Sequence, residues 1–509
     1  MGFDARRPDL TVGVIGTGAM GRGIAQVAVA GGINVLMTDS RPGAAQEARD
    51  FIEKMLVRAA EKGSMTKDEA VGAVNRLRIV GSPSELKPCH AVIEVIVENL
   101  EAKQKLFAEL EEVVAPDCIL ATNTSSLSVT TIASKMKTSR RFAGFHFFNP
   151  VPLMKLVEVI DGLQTESWVG DALMELGRRM TREPVRLKDA PGFLVNQVGR
   201  GFTLEASHLV YEGISTFADV DRVMRDVGGF RMGPFELMEL TGLDVTQPAS
   251  ELIYNQFFQE PRYRPNLIMR SRYEAGVLGR KSKRGFYDYD AEMKPIVAAE
   301  SAVPSARPQS VWVSPADAKG HAALTELLGK LGANVESGAR PGAKALILVT
   351  PVGEDATTCA VDQGLDPKRT VAVDTLFPMV KRRTIMGTPV TDAQYRDAAH
   401  GLLASDGVPV TVCRDSPGFI AQRIVSMIVN IGSSIAQSRT AEPGDIDKAV
   451  TLGLNYPNGP FKFGDVIGPD RVYKVLSNMY RIYGDPRYRP NIWLTRRAKL
   501  GVSLLTPEP

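Results

Sequence analysis

Of the five histidines in the chain, one has neighbours that could make it a base. His146 stands in Phe145-His146-Phe147-Phe148-Asn149. Glu158 follows inside the apolar run Leu156-Val157-Glu158-Val159-Ile160. A carboxylate bonded to one imidazole nitrogen fixes the tautomer and raises the basicity of the other nitrogen. A histidine among aromatic rings is also often a satisfied core residue, so residue types alone leave both readings open. His90, His208, His321 and His400 sit in polar or helical surroundings with no catalytic partner in view.

A second constellation lies near the N-terminus. Thr11–Ile15 is an apolar run, and Gly16-Thr17-Gly18-Ala19-Met20-Gly21 follows it at once. Ile24, Ala25, Val27, Ala28 and Val29 continue at helical spacing. Gly31-Gly32 ends that helix, and Ile33–Met37 leads to Asp39. This is a G-x-G-x-x-G turn between strand and helix, with an acid roughly 20 residues on. Gly16 allows the tight turn, Gly18 admits a pyrophosphate, and Gly21 permits close helix–strand packing. Ala19 and Met20 line the same turn, and the helix N-terminus offers free N–H groups to the phosphates. Asp39 would accept bonds from ribose hydroxyls and repel a 2′-phosphate. That favours NAD over NADP, with Arg41 as the feature pulling the other way.

These residues need strands and helices to hold them. Ala91–Val97 reads as a buried strand followed by Glu98. Leu100–Val114 reads as a helix carrying Lys103. Cys118–Thr122 is the next strand and ends in Asn123-Thr124-Ser125-Ser126. Alternating strands and helices imply a doubly wound parallel sheet, whose ligands sit at the carboxyl ends of its strands. Ser125, His146 and Asn149 fall at or just past such ends. Residues 44–62 read as a helix with Lys54, Arg58 and Lys62 on one face. That face is either solvated or a cationic strip for a phosphate-bearing substrate. Asp189 is expected to cap a long helix over Phe193–Tyr211, with Pro191 near its first turn and Asn196 inside it.

Composition narrows the class. The length suggests about three or four domains, and 44% apolar with 23% charged residues suits a soluble protein. A net charge of +3 gives no argument for a nucleic-acid partner. Cys89, Cys118, Cys359 and Cys413 show no metal-ligand spacing, so no metal is expected. No apolar run reaches about 18 residues, and the N-terminus has no signal core. A cytoplasmic location away from membranes is the expectation.

Several ordered motifs resemble the L-3-hydroxyacyl-CoA dehydrogenase family. They are Asn123-Thr124-Ser125-Ser126-Leu127, Phe145 to Pro152, Lys155-Leu156-Val157-Glu158, Asp189 to Asn196, and Gly233-Pro234-Phe235-Glu236-Leu237. The resemblance spans about residues 10–288. It implies that His146 is the general base, that Glu158 orients it, and that Ser125 and Asn196 hold substrate oxygens. It further implies that Glu98, Lys103, Ser125, Asn149 and Lys281 contact NAD and that Lys62 lies near the CoA phosphates.

The second half is a degenerate copy. Residues 415–433 repeat 189–207, Gly459-Pro460-Phe461 repeats Gly233-Pro234-Phe235, and Pro486 to Asn491 repeats Pro261 to Asn266. Upstream, Ala345–Thr350 matches the strand at Ala91, Thr370–Thr375 matches Ile119–Thr124, and Arg382-Arg383 matches Arg140-Arg141. Leu376 then stands for Ser125 and about Thr388 for His146, while the segment carrying Glu158 has no counterpart. Gln422 replaces Asn196, and no G-x-G-x-x-G occurs over Val311–Val335. The expected architecture is α/β plus all-α. It comprises a Rossmann-type NAD-binding domain (1–188), a helical domain (189–290), a linker with a degenerate Rossmann-like domain (291–414), and a second, non-catalytic helical domain (415–509). The helical copies are expected to form an intramolecular pseudo-dimer, with a homodimer of chains also open.

Three functions compete on this reading. The leading one is NAD-dependent oxidation of a 3-hydroxyacyl-CoA. A hydroxyacid dehydrogenase without CoA and a non-catalytic binding or structural protein are the others. The resemblance fits 3-hydroxyadipyl-CoA of aromatic-acid degradation and short chains such as 3-hydroxybutyryl-CoA equally.

Overall fold

Val12, Val14 and Ile15 bury their side chains on both faces of strand β1 (Thr11–Ile15), as a central parallel strand must. The computed structural model describes residues 3–508, and the chain divides into two units. One unit holds the residues up to Asn196 together with Ser438–Leu454. The other holds Gln197–Gln437 and the residues from Asn455 onward.

In the first unit β1 is followed by α1 (Ala19–Ala30), β2 (Asn34–Thr38), α2 (Ala44–Glu61), α3 (Lys67–Asn75) and β3 (Leu77–Ile79). Then come β4 (Ala91–Glu94), α4 (Leu100–Val113), β5 (Ile119–Thr122), α5 (Val129–Ala133) and β6 (Phe142–Phe147). β7 (Leu156–Asp161), α6 (Ser167–Arg179) and β8 (Glu183–Lys188) complete the sheet, and α7 (Val195–Tyr211) starts at the end of this unit. The sheet order is β3-β2-β1-β4-β5-β6-β7-β8. The order reverses beside β1, which puts the topological switch point at the glycine turn. Every neighbouring pair is parallel except β6 and β7, which run antiparallel. That one reversal sets His146 directly opposite Glu158 in register.

One sequence expectation is corrected here. Asp189 does not cap the long helix. Its Oδ2 accepts from the Ser128 hydroxyl and the Thr130 N–H, at the first turn of α5. Residues 191–194 form a turn first, so α7 begins only at Val195, and Glu158 receives the Leu194 and Val195 N–H groups there.

In the second unit the continuing α7 is followed by α8 (Phe217–Asp226), α9 (Pro234–Thr241), α10 (Leu243–Gln256) and α11 (Leu267–Glu274). A two-stranded ribbon of β9 (Asp288–Tyr289) and β10 (Pro295–Ile296) leads on to β11 (Val311–Val313), α12 (Ala318–Lys330), β12 (Leu346–Val349) and α13 (Ala356–Asp362). Then follow β13 (Thr370–Val373), β14 (Arg383–Gly387), α14 (Ala393–Leu403), β15 (Val410–Cys413) and α15 (Ala421–Gln437). The next helix, α16 (Pro443–Leu454), belongs to the first unit. There Ala441 bridges Leu187 at the edge of the sheet, and Gly453 lies against Val195 and Leu156. α17 (Pro460–Ile467), α18 (Pro469–Tyr483) and α19 (Ile492–Leu500) complete the second unit.

The smaller sheet runs β11-β12-β13-β14-β15, with β13 and β14 antiparallel and the other pairs parallel. In the large sheet the antiparallel step precedes a parallel pair joined by a helix, β7-α6-β8. In the small sheet that place belongs to β14-α14-β15. The copy therefore keeps the strand corresponding to Glu158's and has lost the one corresponding to His146's. This reverses the sequence alignment, which placed Thr388 at His146 and found no counterpart to Glu158's segment. The paired arginines misled it, because Arg382-Arg383 opens a strand of opposite direction from the one after Arg140-Arg141. Near β11 a single parallel bridge, Val311 to Val335, stands where β2 pairs with β1 in the large sheet.

Candidate active site

The geometry starts from a cross-strand pair. Antiparallel neighbours put facing side chains about 5 Å apart. Here His146 Nδ1 lies 2.7 Å from Glu158 Oε2. Both side chains are buried, and the imidazole is flanked by the rings of Phe148 and Phe193, at 4.6 and 5.6 Å between centroids. The other carboxylate oxygen, Oε1, accepts the Leu194 and Val195 N–H groups at 3.0 and 3.1 Å. Glu158 thus closes the N-terminus of α7, where unpaired N–H groups and the helix dipole favour an anion. The next residue in α7 is the half-buried Asn196.

The loop after β5 is held from below by Glu98. Its Oε1 accepts from the Thr124 and Ser126 hydroxyls and from the Ser125 and Ser126 N–H groups. Burial pushes the Glu98 carboxyl up, but Thr124, Lys103 and Ser126 outweigh it and hold the group below its ordinary range. Ser125 itself is exposed, as is Asn149 at the end of the Phe145–Asn149 run. Lys103 is 1% exposed and bonds Glu94 at 2.6 Å and Glu98 at 3.3 Å. The structure therefore places Lys103 beneath the loop rather than open to a ligand.

Two residues of this assembly were missed by the sequence reading. Glu94 takes the Lys103 ammonium, the Thr122 hydroxyl and the Ile96 N–H. Its signal was available, a carboxylate inside the apolar run Ala91–Val97. Asn123 Oδ1 accepts the Phe147 N–H and ties the serine loop to His146's strand.

A Cβ on Gly21 would lie 1.8 Å from the Gly16 carbonyl oxygen, and Gly16 has φ +93°. Above Gly18 nothing lies within 4 Å, and no side chain caps α1. Open N–H groups at Gly18, Ala19 and Met20 fit a pyrophosphate. In the copy the corresponding helix, α12, is closed by Asp317, which bonds the Gly320 N–H and pairs with Arg471 at 3.0 Å. A carboxylate in that place repels a phosphate.

Asp39 accepts from the Thr17 N–H and hydroxyl and from the Arg41 N–H. Burial opposes its charge, yet those donors hold its carboxyl below the ordinary range. The Arg41 guanidinium turns outward to Glu47, at 2.7 Å. Of the cationic face, Arg58 and Lys62 line a cavity of about 410 Å³ with Phe51, Met55 and Asn149–Leu153, and Lys54 does not. Arg22, a further residue missed from sequence, lines the same cavity and stacks on Phe51 at 3.9 Å. Lys281 lies in the second unit and pairs with Asp244 at 2.6 Å. Among the described residues no group of three or more His, Cys, Asp or Glu could hold a metal ion, and no helix is long and apolar enough to cross a membrane.

An open glycine turn at the switch point, in one sheet with a buried imidazole, defines a nicotinamide-dependent dehydrogenase. The chain belongs to the 3-hydroxyacyl-CoA dehydrogenase family: the family's NAD-binding domain matches residues 11–190, and its C-terminal domain matches 192–289 and again 418–503. The chain is 37% identical over 491 residues to a 3-hydroxyadipyl-CoA dehydrogenase of Escherichia coli (strain K12), covering 96% of this chain and 98% of that one. A probable 3-hydroxybutyryl-CoA dehydrogenase of Bacillus subtilis (strain 168) is 41% identical over 277 residues, 54% of this chain and 96% of that one. The crystal structure of a 3-hydroxybutyryl-CoA dehydrogenase from Escherichia coli K12 matches with a TM-score of 0.85 at 36% identity, over 97% of this chain and 99% of that one. NAD is the cofactor of this chain.

Proposed function

We propose that His146 is the general base in NAD-dependent oxidation of an L-3-hydroxyacyl-CoA to the 3-oxoacyl-CoA. The observation that carries this is the buried His146–Glu158 pair at 2.7 Å. With Nδ1 donating to Glu158, Nε2 is the nitrogen that takes the C3 hydroxyl proton. Glu158, fixed by the Leu194 and Val195 N–H groups, holds the ring and stabilises the imidazolium that forms. Ser125 and Asn196 steady the substrate oxygens as charge develops. The Phe148 and Phe193 rings keep water from the base. Bound NAD supplies the hydride acceptor for C3.

Gly16, Gly18, Ala19, Met20 and Gly21 seat the pyrophosphate, and Asp39 takes the ribose. Glu98, Ser125 and Asn149 line the nicotinamide end, with Lys103 positioning Glu98 and Lys281 as the contact implied from the helical domain. Arg58 and Lys62, with Arg22, receive the CoA phosphates, and Lys54 adds to the field around them. The four sequence segments, 1–188, 189–290, 291–414 and 415–509, are retained as evolutionary units. The two helical copies pair within the chain, an arrangement supported by the close approach of Gly201 to Ile428. The protein acts in the cytoplasm.

The test is NADH absorbance with 3-hydroxyadipyl-CoA, 3-hydroxybutyryl-CoA and their free acids, ranked by kcat/KM. Thioesters should exceed free acids by at least about tenfold, the worth of one or two phosphate contacts. Equal turnover of acid and thioester would remove the CoA assignment, and no NADH from any of them would remove the reaction.

A further inference from the structure

The helical copies meet where α7 crosses α15. A Cβ on Gly201 would stand 3.0 Å from the Ile428 Cα, so the backbones approach closely there. The repeat aligns Gly201 with Met427, next to Ile428, so the crossing maps nearly onto itself. It acts as a pseudo-twofold axis. A true twofold would place the same residue types on both sides, and this interface does not.

One turn from the crossing, Arg423 of α15 meets Glu205 of α7. Arg423 is 0% and Glu205 2% exposed at the side chain, with Nη2 at 2.7 Å from Oε1. A second carboxylate, Glu212, reaches Arg423 Nη1 at 2.9 Å. Tyr488 donates to Glu205 at 2.9 Å and accepts from Arg423 at 2.7 Å. Burial raises the cost of the Glu205 charge, but Arg423 and Arg487 hold its carboxyl down at about 2.

On the other side of the axis the repeat keeps Arg262 for Arg487 and substitutes neutral groups for Arg423, Glu205 and Glu212. Gln197 is the counterpart of Arg423, Ile431 of Glu205, Ser438 of Glu212, and Tyr263 of Tyr488. Gln197 bonds the Tyr263 hydroxyl at 2.7 Å, the same link that Arg423 makes to Tyr488. The frame is kept and the charge is not. If two first copies paired, Glu205 and Glu212 would face Gln197. If two second copies paired, Arg423 would face Ile431 and Ser438. A first-with-first pair would take the direct Arg423 bonds from Glu205 and leave it only Arg262, the counterpart of Arg487, which stands 3.9 Å from Glu205. A second-with-second pair would bury Arg423 with no carboxylate opposite, whereas first with second buries the matched pair.

We propose that the buried Arg423–Glu205 pair selects the partner of each helical copy, admitting first with second and barring like with like. The proposal rests on the reading that the two copies pair within the chain. It gives the ion pair a role in specificity: the partner that fits either face is the opposite copy of this same chain. The bar matters most while the first copy has been synthesised and the second has not.

The test reprograms the pair in the full chain. Glu205→Arg in one chain and Arg423→Glu in another each set like charges against each other. Each alone should lose the wild-type species on native mass spectrometry and lower its unfolding midpoint by on the order of 10 °C. Co-expressed, the two chains should recover as a 1:1 heterodimer. In it the first copy of the Arg423→Glu chain meets the unaltered second copy of the other. Two results overturn the selection: either variant alone keeps the wild-type species and midpoint, or co-expression gives no heterodimer. Glu205→Gln with Arg423→Gln, made singly and together, tests the underlying pairing. Midpoint losses that simply add would mean that residues 205 and 423 do not touch, and the pairing itself would fall. Losses recovered in the double variant keep the pairing whatever the heterodimer result.

Discussion

Glu158 spends one oxygen on His146 and the other on the start of α7. Replacing it with an isosteric amide should therefore disturb the base without emptying the site. Glu158→Gln is expected to lower kcat by roughly 100-fold with the KM for NAD unchanged. A purified variant with wild-type kcat would show that His146 needs no orienting anion. Asp39 works through charge and Thr17, while Arg41 is drawn away by Glu47. Wild type should prefer NAD, and Asp39→Ala should narrow the ratio of kcat/KM for NAD over NADP by at least about tenfold. An unchanged ratio would take the choice of cofactor away from Asp39. The residues legible in the sequence were those whose type conflicts with their surroundings, such as His146 and Glu158 in apolar runs. Glu94 has the same signature and escaped because its role is indirect. Its partner Lys103 could not be read as buried, since only the packing of α4 on β4 and β5 decides that.

The strand–turn–helix at Gly16 separates folding from binding. Gly21→Ala drives a methyl into the Gly16 carbonyl and should cost at least about 1–3 kcal/mol of stability. Gly18→Ala meets nothing and should stay within about 0.5 kcal/mol of wild type while its KM for NAD rises several-fold. A Gly18→Ala protein with normal NAD kinetics would move the pyrophosphate elsewhere. The copy's elements show the converse. Its first helix is capped by Asp317 and its sheet lacks a strand between β13 and β14. The repeat motifs revealed that a copy existed but could not reveal which strand it had lost. Strand direction is a pairing property, and no local pattern in Arg382–Gly387 encodes it.

In that reduced sheet Gln422 joins Asp374 to the Pro351 carbonyl and the Gly353 N–H. Burial raises the Asp374 carboxyl from 3.8 to about 6, and its Oδ2 finds no partner among the described residues. The neutral form is thus the one the fold prefers. Its stabilising contribution is full below pH 3.8 and is lost as pH rises through about 6. Asp374→Asn should therefore raise the unfolding midpoint at about pH 8, by up to about 3 kcal/mol in stability, and change it little near about pH 4. An equal effect at both pH values would show that the Asp374 carboxyl titrates alike in the folded and the unfolded chain.

At the scale of the molecule, one half keeps the chemistry and the other keeps the packing. The sequence exposed this division because packing motifs such as Gly459-Pro460-Phe461 survive where the reactive residues do not. It hid the return of α16 to the first unit, since a helix's own residues do not say which sheet edge will receive it. Truncation after Tyr289 would remove that helix from the sheet edge as well as α15 from α7. The fragment should be insoluble or newly dimeric on size-exclusion chromatography, because a large apolar face is left uncovered. A soluble, monomeric, fully active fragment would contradict the covering role.

The central claim concerns His146, and its most direct test is the turnover of His146→Gln in the full-length chain, measured beside NAD affinity by titration. The structure places the imidazole against Glu158 at 2.7 Å. The expected result is a kcat lower by about two to four decades with NAD affinity unchanged. Near-normal turnover in that variant would contradict the account.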